Sequence, residues 1–310
     1  MSRCPLTYEE LSEGLYSKNG IKKLNSRLIT LLPLEFTKEE LLEEVAERSG
    51  KISLEGVQPK LSALLSIPES TFSLTDINGK YIIKPQQTLY TELPENEDLT
   101  MRLAGIAGIE VPQHGLIYDK TGTLHYFIKR FDRIKKSQKY SVEDFAQLSE
   151  KNRHTKYDSS MEKVAGIVEK YCTFPMIEKI KLFKLTVFNF LTGNEDMHLK
   201  NYSLITKDDI TTLTPAYDLL NTTIVIKNAS EEIALPLRGR KRKLNRKDLV
   251  NYFAVERMGL NDRTIEIVLK ELLDAVPLWE KEIEISFLSD KLKEDYSSLL
   301  RKRCTAIGLE

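Results

Sequence analysis

Asp196 and Asn201 stand five residues apart between an apolar helical pattern and an alternating strand pattern, and this constrains the fold more than any other feature of the chain. Lys181 to Leu191 turns Leu182, Phe183, Leu185, Thr186, Phe190 and Leu191 mostly to one side of a helix, which stops at the Thr192-Gly193-Asn194 loop signal. Tyr202 to Ile205 and Ile210 to Leu213 alternate as strands around a Lys207-Asp208-Asp209 turn. Pro215-Ala216-Tyr217-Asp218 therefore returns to the place the chain left, and Asp196, Asn201 and Asp218 converge at the end of one packed helix. Each alone would be a cap or turn residue. Their order and spacing, with a hairpin between, set them apart.

Phosphoryl transfer needs a carboxylate at the attacking hydroxyl and hard oxygen ligands for Mg²⁺. The arrangement resembles a protein kinase catalytic loop, where a proton-accepting Asp precedes a Mg²⁺-binding Asn and a second metal-binding Asp follows. Upstream, Ser53 to Lys60 precedes two β-like runs, Thr71 to Asp76 and Lys80 to Lys84, which turn at Asn78-Gly79 as a predicted hairpin. A kinase amino lobe has the same order of phosphate loop and strand lysine, here Lys84. The loop has one glycine, Gly56, in place of the usual three. Leu93 to Ile106 is a predicted helix with an acidic first turn, and its Glu97 could either pair with the lysine or complement the helix dipole. Tyr126 to Arg133 is a strand running into charge, which suits a hinge.

Six segments recur in one order: Gly56-Val57-Gln58-Pro59-Lys60, Tyr81 to Pro85, Arg130 to Arg133, Val142 to Gln147, Asn194 to Asn201, and Pro215 to Leu220. Together they resemble the HipA family of bacterial serine/threonine kinase toxins, most closely its short HipT branch from HipBST three-component systems. The resemblance implies an α+β, two-lobed, protein-kinase-like fold, with a small mixed amino lobe over residues 1–133 and a mostly helical carboxy lobe over 134–310. It implies Asp196 as catalytic base and Asn201 and Asp218 as Mg²⁺ ligands. ATP would be bound by Gly56, Val57, Gln58, Lys60, Lys84, the hinge residues Lys129, Arg130 and Phe131, and His198, Lys200 and Tyr217. Ser53 corresponds to the family's autophosphorylated loop serine, while Glu55 stands where some relatives carry a second phosphosite. The implied substrate is an aminoacyl-tRNA synthetase. The implied partners are a small HipS-like antitoxin and a HipB-like DNA-binding protein.

Composition sets bounds. A chain of 310 residues with 41% hydrophobic content can bury a large core, and 46 basic against 46 acidic residues leave no global footprint for nucleic acid. Cys4, Cys172 and Cys304 lack metal or disulfide spacing, which points to a reducing cytoplasm. No leader or membrane span is expected. The first fifty residues are expected to be helical at Thr7 to Ser17 and Thr37 to Arg48, and the last sixty at Leu249 to Met258, Arg263 to Val276 and Trp279 to Arg303.

Arg238 to Lys247 carries seven cations in ten residues. Such a run is either a solvated loop or a patch for RNA or operator phosphates. His198 follows Asp196, whereas ordinary kinases place a histidine before it, so direct carry-over from those enzymes is weakened. Metal ligation by the chain's four histidines is not expected, because none has ligand spacing. Two other functions share these residues, a small-molecule phosphotransferase and a non-catalytic regulatory pseudokinase.

Overall fold

In the computed structural model, which describes residues 2–49, 58–135, 138–226 and 229–309, the chain divides into two units, each with its own core. The first comprises Met1–Asp98, Pro112–Gln138 and Ile285–Phe287; the second comprises Leu99–Val111, Lys139–Glu284 and Leu288–Glu310.

In the first unit, helices α1 (Lys18–Leu24) and α2 (Lys38–Ser49) precede strands β1 (Leu61–Ser66), β2 (Thr71–Leu74) and β3 (Tyr81–Lys84). Helix α3 (Leu93–Ile106) begins in this unit and ends in the other. Strands β4 (His114–Tyr118) and β5 (Leu124–Lys129) complete an antiparallel sheet ordered β2-β1-β3-β5-β4. Its core joins Leu61, Ala63, Phe72, Ile83 and Phe127 of the sheet to Ile21, Leu24, Leu34, Leu41 and Val45 of the helices and their connections.

Two expectations for this unit are corrected. The Asn78-Gly79 turn does not join neighbouring strands, because β1 lies between β2 and β3: Ala63 pairs with Leu74 on one side and Tyr81 on the other. Glycine is needed at 79 because the turn crosses β1 closely, and a Cβ there would lie 1.9 Å from Ser62 Oγ and 3.2 Å from the Ala63 nitrogen. Thr7 to Ser17 is not helical. Tyr8 and Gly14 both take positive φ, and the Glu9 carboxylate gathers Ser17 Oγ at 2.8 Å and Asn19 Nδ2 at 2.5 Å. Ser17 instead caps α1 through the Gly20 N–H.

The chain then forms a two-stranded ribbon of β6 (Arg133–Lys135) and β7 (Gln138–Lys139), followed in the second unit by β8 (Ser141–Asp144), α4 (Phe145–Leu148), α5 (Met161–Tyr171) and α6 (Pro175–Thr192). A 3-10 turn, Leu199–Asn201, leads into β9 (Ser203–Lys207) and β10 (Ile210–Leu213), and the sheet order is β10-β9-β8. Asp208 and Asp209 both have positive φ, as the two-residue turn of a tight hairpin requires. A π-helix, Lys247–Arg257, precedes α7 (Asp262–Ile285) and α8 (Asp290–Ile307).

The predicted break near Pro277 is also corrected, because α7 runs through the proline and ends at Ile285. Interior proline costs about 3 kcal/mol through its lost N–H and ring clash. Two residues later Trp279 is fully buried, edge-on to Phe188 at 5.6 Å, and its indole N–H donates to the Leu103 carbonyl at 2.8 Å, which offsets that cost. No described helix is long and apolar enough to cross a membrane.

Gly79→Ala is expected to lower stability by about 1–2 kcal/mol through overpacking. Ser62→Ala in the same chain should restore part of it, as urea unfolding followed by circular dichroism will show.

Candidate active site

Helix α6 is buried along most of its length and stops at Gly193, which has φ 71°. No larger residue fits, since a Cβ would meet Leu299 Cδ2 at 2.4 Å and Thr223 Oγ1 at 2.8 Å. Beyond it Asn194 is buried and organises the loop: its Nδ2 donates to Asn189 Oδ1 at 3.1 Å, and its Oδ1 accepts the Asp196 N–H at 3.1 Å. The Asp196 carbonyl accepts Asn201 Nδ2 at 2.9 Å and the His198 N–H at 2.8 Å. That bond fixes the orientation of the Asn201 amide through its nitrogen and leaves its Oδ1 as a hard acceptor.

The stretch after β10 is tied to the same loop. The Gly193 carbonyl accepts the Thr223 N–H at 3.1 Å and Thr222 Oγ1 at 3.2 Å, and Thr222 Oγ1 accepts the Glu195 N–H at 2.7 Å. Asp218 sits three residues before Asn221, in left-handed backbone at φ 54°. Aspartate tolerates this conformation, but it is uncommon and marks a position whose backbone the surroundings dictate. Both Asp196 and Asp218 act electrostatically on His198, whose pKa is nonetheless lowered, chiefly by burial. His198 is thus a neutral acceptor for Lys156 Nζ at 2.7 Å, and its buried Nδ1 has no protein partner.

The other expected ligands of this unit are differently engaged. Tyr217 Oη meets Ser203 Oγ at 2.5 Å and donates to the Lys200 carbonyl at 3.0 Å, and burial raises its pKa. Lys200 is exposed and pairs with Asp144 at 3.2 Å, the residue that caps α4 in a capping box with Gln147. Two residues escape the sequence reading, Lys156 and Tyr157. The Tyr157 hydroxyl donates to Asp196 Oδ1, and its ring meets His198 edge-on at 5.1 Å. Nothing in the sequence near Tyr157 signals this, since the contact spans 39 positions.

In the first unit, Lys84 and Glu97 form a buried ion pair, 2% and 1% exposed. Gln58 Nε2 donates to the second carboxylate oxygen of Glu97 at 3.1 Å, and the Lys84 ammonium lies 5.5 Å from the centre of the Tyr126 ring. The acidic first turn of α3 is therefore not a solvated dipole complement, because Glu95, Asn96, Glu97 and Asp98 are all buried. At the expected hinge, the Lys129 N–H goes to the Gln113 carbonyl and the Arg130 N–H to the Lys80 carbonyl, both at 2.8 Å, while the Arg130 side chain forks onto Asp132. Phe131 is half-buried and Lys60 exposed. Ser53, Gly56 and Val57 lie outside the described residues.

The basic run is largely engaged within its own unit. Arg240 pairs with Asp248, Lys241 with Glu231 at 3.1 Å, Arg242 bonds Ser230 at 2.7 Å, Arg246 bonds the Ile307 carbonyl at 3.2 Å, and Arg238 lies 5.2 Å over the Tyr252 ring. Among the described residues no group of three His, Cys, Asp or Glu side chains forms a metal site of its own. Asn201 and Asp218 each carry a hard oxygen of the type Mg²⁺ takes as a ligand.

The family model of the HipA-like C-terminal domain matches residues 52–279. A candidate kinase of Haemophilus influenzae is 29% identical over 70% of this chain and 66% of its own length. The serine/threonine-protein kinase toxin HipA of Shewanella oneidensis is 28% identical over 57% of this chain and 45% of its own. Among solved structures, the Shewanella oneidensis MR-1 complex of HipA, HipB and operator DNA contains a similar fold, with TM-score 0.68, 21% identity, and coverage of 90% of this chain and 74% of that one. The chain spans 45% to 66% of the length of the curated relatives it matches.

Removing one partner of the buried pair, as in Lys84→Met, is expected to cost about 3–5 kcal/mol by stranding Glu97, whereas Lys84→Met with Glu97→Leu should recover much of it. Circular dichroism in urea measures both. A second test concerns Glu95, whose pKa burial pushes up to about 7 although Gln86 donates to it. The native state then holds a proton that the unfolded chain releases at lower pH, so this group's stabilisation is lost as pH rises from about 4.5 to about 7. Glu95→Gln should flatten that part of the stability profile.

Proposed function

Because the chain belongs to the family of the HipA-like C-terminal domain, we propose that it is an ATP- and Mg²⁺-dependent protein serine/threonine kinase that acts as a toxin. One observation carries the reading: Asn201 donates its amide N–H to the backbone of Asp196, which ties a proton acceptor and a metal-competent oxygen into one rigid turn. Asp196 accepts the proton of the attacking hydroxyl. Asn201 and Asp218 would hold Mg²⁺, which would supply neutralisation of charge on the transferring phosphoryl group. Lys84, oriented by Glu97, meets the phosphates with Gln58 and Lys60. The buried Nδ1 of His198, which has no protein partner, is an atom that a nucleotide or its waters can satisfy. The hinge residues Lys129 to Phe131 receive the base. Likeness to a HipA kinase toxin supports the same assignment.

The finer parts of the proposal are an aminoacyl-tRNA synthetase as substrate, autophosphorylation at Ser53, and membership of the HipT branch with HipS-like and HipB-like partners. Support for the HipB-like partner is that the HipA of similar fold stands in a complex with HipB and DNA. Support for the remainder is the resemblance of the six motifs.

Asp196→Asn and Asp218→Asn should each lower transfer of labelled phosphate from ATP to protein by at least about a hundredfold and relieve growth inhibition, with circular dichroism unchanged. A folded Asp196→Asn variant with wild-type turnover would contradict the assignment. Label entering only a low-molecular-weight pool would make the enzyme a small-molecule phosphotransferase.

A further inference from the structure

In phosphoryl transfer the acceptor places its hydroxyl against the base carboxylate and gives up the proton there. Tyr157 makes that contact already, since its hydroxyl donates to Asp196 Oδ1. Burial and this bond raise its pKa, so the phenol is protonated and acts as donor.

The contact is not required to place the loop. Asp196 is positioned through its backbone, by Asn194 Oδ1 on its N–H and Asn201 Nδ2 on its carbonyl. Nor is Tyr157 buried in place, for its side chain is only partly covered and the residue is 40% exposed. Its backbone, in contrast, is anchored. Leu199 N–H donates to the Lys156 carbonyl at 3.3 Å, Lys156 Nζ reaches His198 Nε2 at 2.7 Å, and Asn152 Oδ1 accepts the His154 and Thr155 N–H groups at 2.8 and 3.3 Å. Rotating one side chain on a fixed backbone frees the carboxylate oxygen, a motion far cheaper than moving the loop.

We propose that Tyr157 is a specificity-determining residue whose phenol stands in the acceptor-hydroxyl position of Asp196, so that a substrate hydroxyl must displace it and water is kept from the base. The proposal rests on the kinase reading above. It explains why an exposed aromatic residue from a distant loop is aimed at the carboxylate while the backbone bonds hold the turn. The chemistry after displacement is unchanged: the incoming oxygen bonds to the terminal phosphorus of ATP, the bond from that phosphorus to the bridging oxygen breaks, ADP leaves, and the hydroxyl proton goes to Asp196.

The test uses the full chain with Mg-ATP and water as acceptor. Tyr157→Phe keeps the ring and removes the donor, so hydrolysis should rise at least about threefold, and Tyr157→Ala should raise it further. Hydrolysis that is unchanged or falls in both variants overturns the proposal, since a phenol that merely supports the base would give a loss. A second readout does not depend on turnover: with ring-labelled tyrosine, the Tyr157 resonance, assigned by its disappearance in Tyr157→Phe, should shift in Asp196→Ala. An unmoved resonance overturns the contact itself. If the resonance shifts but neither wild type nor variants transfer phosphate to protein or water, the kinase reading fails and the acceptor role fails with it.

Discussion

The left-handed turn at Gly193 is the constraint on which the carboxyl-terminal unit's candidate site depends. It ends α6 where a Cβ would collide with Leu299, and it aims the Gly193 carbonyl at the side chain of Thr222 and the backbone of Thr223. One carbonyl therefore holds two chain segments together, the loop bearing Asp196 and Asn201 and the stretch that begins at Asp218. Spacing in sequence becomes proximity in space because a buried apolar helix stops abruptly and the carbonyl at its end is bonded across to the later segment.

The amino-terminal unit solves a different problem. From its third residue the α3 helix carries four consecutive polar residues, three of them acidic, under almost no solvent, and each carboxylate has a partner: Glu95 with Gln86, Glu97 with Lys84, Asp98 with His114 at 2.8 Å. Nearby, His125 accepts the Gln86 N–H on Nδ1 and so presents its Nε2 proton to Asp119 at 3.2 Å. Buried ionic groups add little net stability, because desolvation consumes most of their attraction. What they provide is a single geometry, since misplacing any one leaves a buried polar group without its partner.

Much of this was legible in the sequence, and the failures share a cause. Helix α3 has the predicted bounds, α6 extends its predicted run at both ends, and the β9–β10 hairpin falls where alternation and its turn place it, because periodicity and turn chemistry are local. The segment Leu61–Ser66 carries a weak alternation and no turn signal of its own, so its insertion between β2 and β3 could be learned only from the pairing. Pro277 looks like a stop because the compensating burial of Trp279 involves Leu103, 176 residues away. Tyr157 is the same case at the site itself. The residues of the proposed chemistry announce themselves by spacing, whereas those that confine it are brought there by the fold.

The buried indole has a practical corollary. Trp279 is the only tryptophan in the chain and lies in the core of the carboxyl-terminal unit, its ring against Phe188 of the helix that carries the Gly193 turn. Intrinsic fluorescence excited at the red edge of indole absorption is therefore a private signal of that unit. Loosening confined to the sheet of the other unit leaves the emission dark to it, and a comparison of emission with far-ultraviolet dichroism separates the melting of one half of the molecule from the other without any label.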